Sequence, residues 1–126
     1  MSDESVIVKQ VMIEASRLGA RLFRNNRGMF LTIDGLRKVK AGLEAEGASD
    51  CIGFTPVTIT ADMVGQTIAV FTAAEVKKST WKRPSTETEM KQQNFINFVN
   101  KNGGIGFFIN CAENLKKELA IRFKNE

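Results

Sequence analysis

The sequence predicts an α/β domain in which a mixed sheet of about four or five strands is flanked by helices. Three observations predict it. Residues 5–18 and 86–102 carry apolar side chains at helical spacing. Residues 50–59, 67–76 and 105–110 are short runs rich in Ile, Val, Phe and Thr. The segments follow one another as helix, strands, helix, strand, helix, with no internal repeat, low-complexity tract or linker between them. The chain of 126 residues, 43% hydrophobic and 25% charged, is long enough for one core, so residues 1–126 read as a single domain.

The first helix rests on Val8, Val11, Met12, Ala15 and Leu18, and Gly19 is suited to cap its end. Glu14 lies three residues after Val11 and four before Leu18, so it is expected on the core side. A carboxylate there is costly unless it reaches solvent, an Arg or a cation. Residues 20–25 follow as a strand, with Leu22 on one face and Phe23 and Asn25 on the other; Asn26-Arg27-Gly28 breaks it. Met29 to Thr32 adds a little more strand. Residues 33–47, with Gly35, Gly42 and Gly47, read as a loop containing a short helical turn near 37–45.

The stretch from Gly47 to Lys77 organises the rest. Strands over 50–59 and 67–76 are expected to form a hairpin about Ala61–Gln66. Side chains alternate along a strand, so Glu75 and Lys77 project together from the sheet rim and Val76 points into the core. Asp50 begins the neighbouring strand and brings a second carboxylate to that rim. Two carboxylates on strands supply the hard oxygens that Mg²⁺ prefers, and a Lys beside them orients a water or offsets charge on a phosphate. The plainer alternative is a surface salt bridge at a strand end.

After Lys77 comes a polar, basic loop through Ser85. Its Trp81 either stacks on a base or sugar or is partly buried against the next helix. Ser85 or Thr86 caps that helix, with Glu87 or Glu89 in its first turn and an end near Asn102. Phe95, Ile96, Phe98 and Val99 form its buried face, with Gln92 on or beside it. Gly103-Gly104 ends the helix. A parallel, right-handed crossover leads to strand 105–110, and residues 112–124 form a last helix with Leu115, Leu119 and Phe123 on one side.

Composition excludes whole classes of chemistry. The chain has no histidine, which removes Ser-His-Asp and Cys-His hydrolases and His-ligated zinc. Cys51 and Cys111 fit no zinc spacing and are expected as two buried thiols. No apolar run is long enough for a membrane span, and the acidic Met1-Ser2-Asp3-Glu4 does not read as a secretory signal. Net charge is +4 and unevenly spread: Arg17, Arg21, Arg24, Arg27, Arg37, Lys38 and Lys40 form one basic cluster, and Lys77, Lys78, Lys82 and Arg83 a second. Such clusters suit a polyanionic partner or a solvated basic face.

Taken together, these residues resemble the VRR-NUC domain, the virus-type replication-repair nuclease branch of the PD-(D/E)xK superfamily, in the form of a stand-alone phage-type member. The resemblance spans nearly the whole chain: a helix with Glu14; Phe23-Arg24-Asn25-Asn26-Arg27-Gly28; Gly47-Ala48-Ser49-Asp50-Cys51-Ile52-Gly53; Glu75-Val76-Lys77; and Gln92, Phe95, Ile96 and Val99 followed by Gly103-Gly104. It implies a restriction-endonuclease-like fold and metal-dependent hydrolysis of DNA phosphodiesters. Asp50, Glu75 and the Val76 carbonyl would ligate Mg²⁺ or Mn²⁺, and Glu14 would approach the metal directly or through water. Lys77 would hold or activate the attacking water, and Gln92 would orient Lys77 or the phosphate. Arg24, Asn25, Arg27, Ser49, Lys78, Lys82 and Arg83 are the candidates for DNA contact. The implied activity is sequence-independent cleavage of branched DNA, foremost four-way (Holliday) junction resolution by a homodimer in DNA repair, in the cytoplasm of a bacterial or phage-infected cell. A flap nuclease, a restriction-type subunit and a silent DNA-binding module are the alternatives. The chain departs from the family in a longer interval between Asp50 and Glu75 and in carrying Trp81-Lys82-Arg83-Pro84 after Lys77.

Overall fold

The computed structural model describes residues 3–26, 28–43 and 47–120. Expectations for Met1 and Ser2, for Arg27, for the part of the 37–45 turn beyond residue 43, and for residues 121–124 with Phe123 lie outside the described residues. The chain is mixed α/β, with helices and small two-stranded sheets, and falls into two compact units, Met1–Val57 and Thr58–Glu126.

The amino-terminal unit starts with helix α1 (Asp3–Arg17). Asp3 and Glu4 in its first turn and Arg17 in its last complement the helix dipole. Val8 and Ala15 are buried, and the helix packs on strand β1 (Arg21–Arg24). The apolar stripe is narrower than its spacing suggests, since Val11 and Leu18 are exposed. Strands β2 (Gly28–Leu31) and β3 (Lys38–Ala41) form an antiparallel hairpin, and β4 (Cys51–Phe54) pairs antiparallel with β1, Leu22 opposite Gly53. A Cβ at position 53 would collide with the Arg21 carbonyl oxygen, which is why Gly stands there. Where a helical turn was expected near 37–45, Lys38–Ala41 is a strand. Asp34-Gly35 is a strong hairpin signal, and the turn is closed by Thr32 N–H to the Arg37 carbonyl (2.9 Å) and Leu36 N–H to Asp34 Oδ1 (3.0 Å).

In the carboxy-terminal unit a 3-10 turn (Ala61–Met63) leads to β5 (Thr72–Val76), then helix α2 (Glu87–Lys101), β6 (Ile105–Ile109), a second 3-10 turn (Ala112–Asn114) and α3 (Leu115–Ala120). β5 and β6 are parallel, Thr72 opposite Ile105 and Val76 opposite Ile109, as the crossover through α2 predicts. The ladder runs on at both ends, through Ile105 N–H to the Phe71 carbonyl (2.9 Å) and Lys77 N–H to the Ile109 carbonyl (2.8 Å). α2 packs on both strands around Ile96, Val99, Ile105 and Phe107. The Gly pair after it has two physical causes. Gly103 sits at φ +90°, and a Cβ on Gly104 would stand 2.7 Å from Val99 Cγ1 and 2.8 Å from the Phe71 carbonyl oxygen.

Several expectations need correction. Among the described residues the strands pair as two-stranded sheets, β1–β4, β2–β3 and β5–β6, where one mixed sheet of four or five strands was expected. The two strands read over 50–59 and 67–76 are only Cys51–Phe54 and Thr72–Val76, and the stretch between them is a connection, with β4 partnered by β1 and β5 by β6. Pro56 has no N–H for a ladder, and Val57, Ile59 and Ile68 are exposed. Cys111 is exposed and Cys51 half-buried, where two buried thiols were expected. No helix among the described residues is long and apolar enough to cross a membrane.

Candidate functional site

β5 presents its residues in strict alternation: Ala73 and Glu75 are half-buried, with Lys77 just beyond the strand, while Thr72, Ala74 and Val76 are exposed. Glu75 and Lys77 therefore share a side, as their spacing predicts. That side is the more covered one, and Val76, expected in the core, is 71% exposed.

Lys77 is held from several directions within this unit. Its Nζ donates to Gln92 Oε1 at 2.7 Å and stands 3.4 Å from Glu89 Oε2. The same nitrogen lies 5.9 Å from the Trp81 ring centroid and 5.8 Å from that of Phe108, within cation–π range. The Lys77 and Glu89 side chains are only 15% and 14% exposed, whereas the Arg17–Glu14 and Lys91–Glu87 pairs stand in solvent. Water screens the Lys77–Glu89 pair least of the three.

Glu89 is fixed by the start of α2. Thr86 is the N-cap and accepts from the Glu89 N–H (3.1 Å), while Glu89 Oε1 accepts from Ser85 N–H (2.9 Å) and Thr86 N–H (3.3 Å), closing a capping box. Oε2 accepts from Trp81 Nε1 at 2.8 Å. The Ser85 N–H and Trp81 N–H, followed by the Thr86 N–H and Lys77, outweigh desolvation and pull the Glu89 carboxyl down to about 2. Trp81 is half-buried, its ring 4.7 Å from that of Phe108 at an interplanar angle of 30°. Asn110 Nδ2 donates to the carbonyls of Ser79 (3.2 Å) and Trp81 (3.1 Å) and pins this loop to the end of β6.

Glu75 borders an open cleft of about 430 Å³ together with Thr88, Lys91, Gln92 and Phe95. No hydrogen bond or ion pair ties its carboxylate to another described residue. Lys78, Lys82 and Arg83 are exposed along the loop that follows.

The amino-terminal unit holds the other sequence candidates. Asp50 is exposed at the head of β4. Its backbone is anchored by Asn25, whose N–H donates to the Asp50 carbonyl (2.7 Å) and whose Nδ2 donates to the Ser49 carbonyl (3.0 Å), while Asn25 Oδ1 accepts from Leu43 N–H (2.8 Å). Asn25 is buried with both ends of its amide engaged, so it braces the Ser49-Asp50 segment. Glu14 is a second correction. It lies on the exposed side of α1, bonded through both oxygens to Arg17, which holds its carboxyl below the usual range. Glu14 is therefore a solvent-exposed, Arg-paired carboxylate and needs no metal to offset burial. Arg24 and Ser49 are exposed, and Arg27 lies outside the described residues.

The structure thus brings Glu75, Lys77 and Gln92 together, while Asp50 and Glu14 are described within the amino-terminal unit. Among the described residues no group of three or more Cys, Asp or Glu side chains stands close enough to hold a metal ion. The donor that Glu75 offers, a hard carboxylate oxygen, fits Mg²⁺ or Mn²⁺ in kind. Sequence reading placed Asn25 on the Phe23 side of its strand and Glu89 in the first turn of its helix, but it gave neither the contacts seen here, the Ser49-Asp50 backbone for Asn25 and Trp81 and Lys77 for Glu89. Comparison with known proteins adds no relative, since no family model matches the chain and no curated protein or solved structure matches it either.

Proposed function

We propose that this chain is a Mg²⁺- or Mn²⁺-dependent DNA endonuclease of the VRR-NUC type, with a restriction-endonuclease-like fold, resolving four-way junctions as a homodimer. The observation that carries the reading is the 2.7 Å hydrogen bond from Lys77 Nζ to Gln92 Oε1. The resemblance links these two residues, and they meet between the end of β5 and α2, near Glu75, whose carboxylate has no partner among the described residues.

Each residue has a role that its chemistry allows. The Lys77 ammonium, its direction fixed by Gln92, donates to a non-bridging phosphate oxygen or to the attacking water, and offsets charge that builds on the phosphate. Glu75 would supply a carboxylate, with the Val76 carbonyl beside it in sequence, to a divalent cation. Asp50 is the second carboxylate that the resemblance assigns, and that assignment rests on the sequence. A cation so bound would supply Lewis-acid stabilisation of the phosphoryl oxygens and make a bound water more acidic. Glu14 keeps only a water-mediated part, since Arg17 already occupies its carboxylate. The exposed Lys78, Lys82 and Arg83, with Arg24 and the other basic residues of the amino-terminal unit, meet phosphates irrespective of sequence. Work inside a bacterial or phage-infected cell follows from the same reading.

Incubation of the purified protein with labelled four-way junction, flap and linear duplex DNA, with and without Mn²⁺, tests the reading. Paired symmetric nicks across the junction that need the metal are the expected result. Single nicks on flaps would move the assignment to a flap nuclease, and binding without cleavage in Mn²⁺ would leave a silent DNA-binding module.

A further inference from the structure

We propose that Glu89 is a positioning residue for Lys77, holding the ammonium against Gln92 through Oε2 while Oε1 caps α2. The proposal borrows from the nuclease reading only what Lys77 is for; the contact itself stands on the geometry. A capping box asks for one acceptor oxygen at the third helical position, and a Gln supplies that as well as a Glu. Oε1 meets that need alone, accepting from Ser85 N–H and Thr86 N–H. The second oxygen is left over from the cap, and it is the one that accepts from Trp81 Nε1 (2.8 Å) and lies 3.4 Å from Lys77 Nζ.

The arrangement is built in layers. Asn110 pins the loop, the loop sets Trp81 on Phe108, the Ser85 and Thr86 N–H groups hold Oε1 of the Glu89 carboxylate, and Oε2, which also accepts from Trp81 Nε1, faces Lys77. Lys77 has four rotatable side-chain bonds, and Gln92 alone fixes one hydrogen bond to its ammonium. A second, charged acceptor at a different angle, with two aromatic rings beneath, removes most of that freedom before any substrate arrives.

Glu89→Gln separates the two jobs of the residue. If its Oε1 stays on the cap, its amide nitrogen faces two other donors, Trp81 Nε1 and Lys77 Nζ, and the hold on Lys77 is lost. The direct readout is the ¹H–¹⁵N signal of the Lys77 side-chain ammonium, assigned by its disappearance in Lys77→Arg. Hydrogen bonding slows its proton exchange, so the signal is expected in the wild type and in Trp81→Phe, and is expected to vanish in Glu89→Gln and in the Trp81→Phe/Glu89→Gln pair. The double variant removes the clash with the Trp81 donor and leaves only that with Lys77, and thermal unfolding of all forms identifies loss of fold. The cleavage rate of Glu89→Gln should fall about tenfold or more at saturating DNA with little change in KM, the scale expected of a misplaced catalytic group. Glu89→Asp, which retains the charge, should recover part of the rate. A folded Glu89→Gln protein that keeps the ammonium signal overturns the proposal, whatever its activity. Loss of the signal in a protein that never cleaves DNA would support the positioning role and sink the nuclease reading instead.

Discussion

Glu89 and Glu75 are two half-buried carboxylates of the same unit with opposite surroundings, and the contrast yields separate predictions. Glu89 is ringed by donors that pull its carboxyl to about 2 from an ordinary 4.5. A depressed folded pKa means that its stabilisation is complete above the unfolded value. It is lost as pH falls from about 4.5 toward 2. Unfolding measured across that range should show stability declining with acid, and Glu89→Gln should flatten the decline. Glu75, by contrast, has no partner among the described residues. Glu75→Ala and Asp50→Ala should abolish cleavage while thermal unfolding and DNA binding stay close to wild type; Lys77→Ala should abolish cleavage and also lower the unfolding temperature, since it removes the half-buried cation paired with Glu89. A Glu75→Ala protein that cuts at the normal rate would falsify the site. Strand alternation alone makes the shared side of Glu75 and Lys77 legible in the sequence. Which side is covered depends on where α2 packs, so Val76 was turned the wrong way. Glu14 went astray for a related reason: its place on the helical wheel is real, but Val11 and Leu18 beside it are exposed, and Arg17 one turn on captures the carboxylate.

At the scale of elements, α2 holds the site together, joining β5 to β6 and supplying both Gln92 and Glu89. Thr86→Ala removes the cap and should cost about 1 kcal/mol of stability, and it should also loosen Lys77, because the Glu89 main chain is tied to Thr86. Ile96→Ala, at a side chain only 5% exposed between α2 and the strands, should cost about 2–5 kcal/mol. Denaturant titration checks both. α1, α2, β6 and the parallel crossover were legible because their signals are local: helical period, a Thr cap with Glu three residues on, paired glycines at an end. The pairing of β4 and β5 was misread because strand partners are chosen over long sequence separations, and nothing local reports that β4 prefers β1. The β2–β3 hairpin was missed although Asp34-Gly35 announced it, because the glycines of 33–47 were read as a loop.

For the whole molecule, if the chain binds DNA as proposed, the net charge of +4 and the exposed basic side chains predict an affinity that falls steeply with ionic strength through counterion release. Neutralising Lys78, Lys82 and Arg83 together should flatten that slope in a binding titration over salt; an affinity indifferent to salt would reduce these residues to solvated surface. Exposed apolar side chains at Val6 and Ile7, at Met29 to Leu31 with Ile33, and at Val57, Ile59 and Val64 offer surface for a second copy. If the chain acts as the proposed homodimer, light scattering should give about twice the 14.0 kDa chain mass. The most direct test of the central claim is cleavage of a labelled four-way junction by wild type and Glu75→Ala, in Mn²⁺ and in EDTA. The account predicts paired nicks by wild type in Mn²⁺ and none in the other three combinations; cleavage in EDTA, or by Glu75→Ala in Mn²⁺, would contradict it.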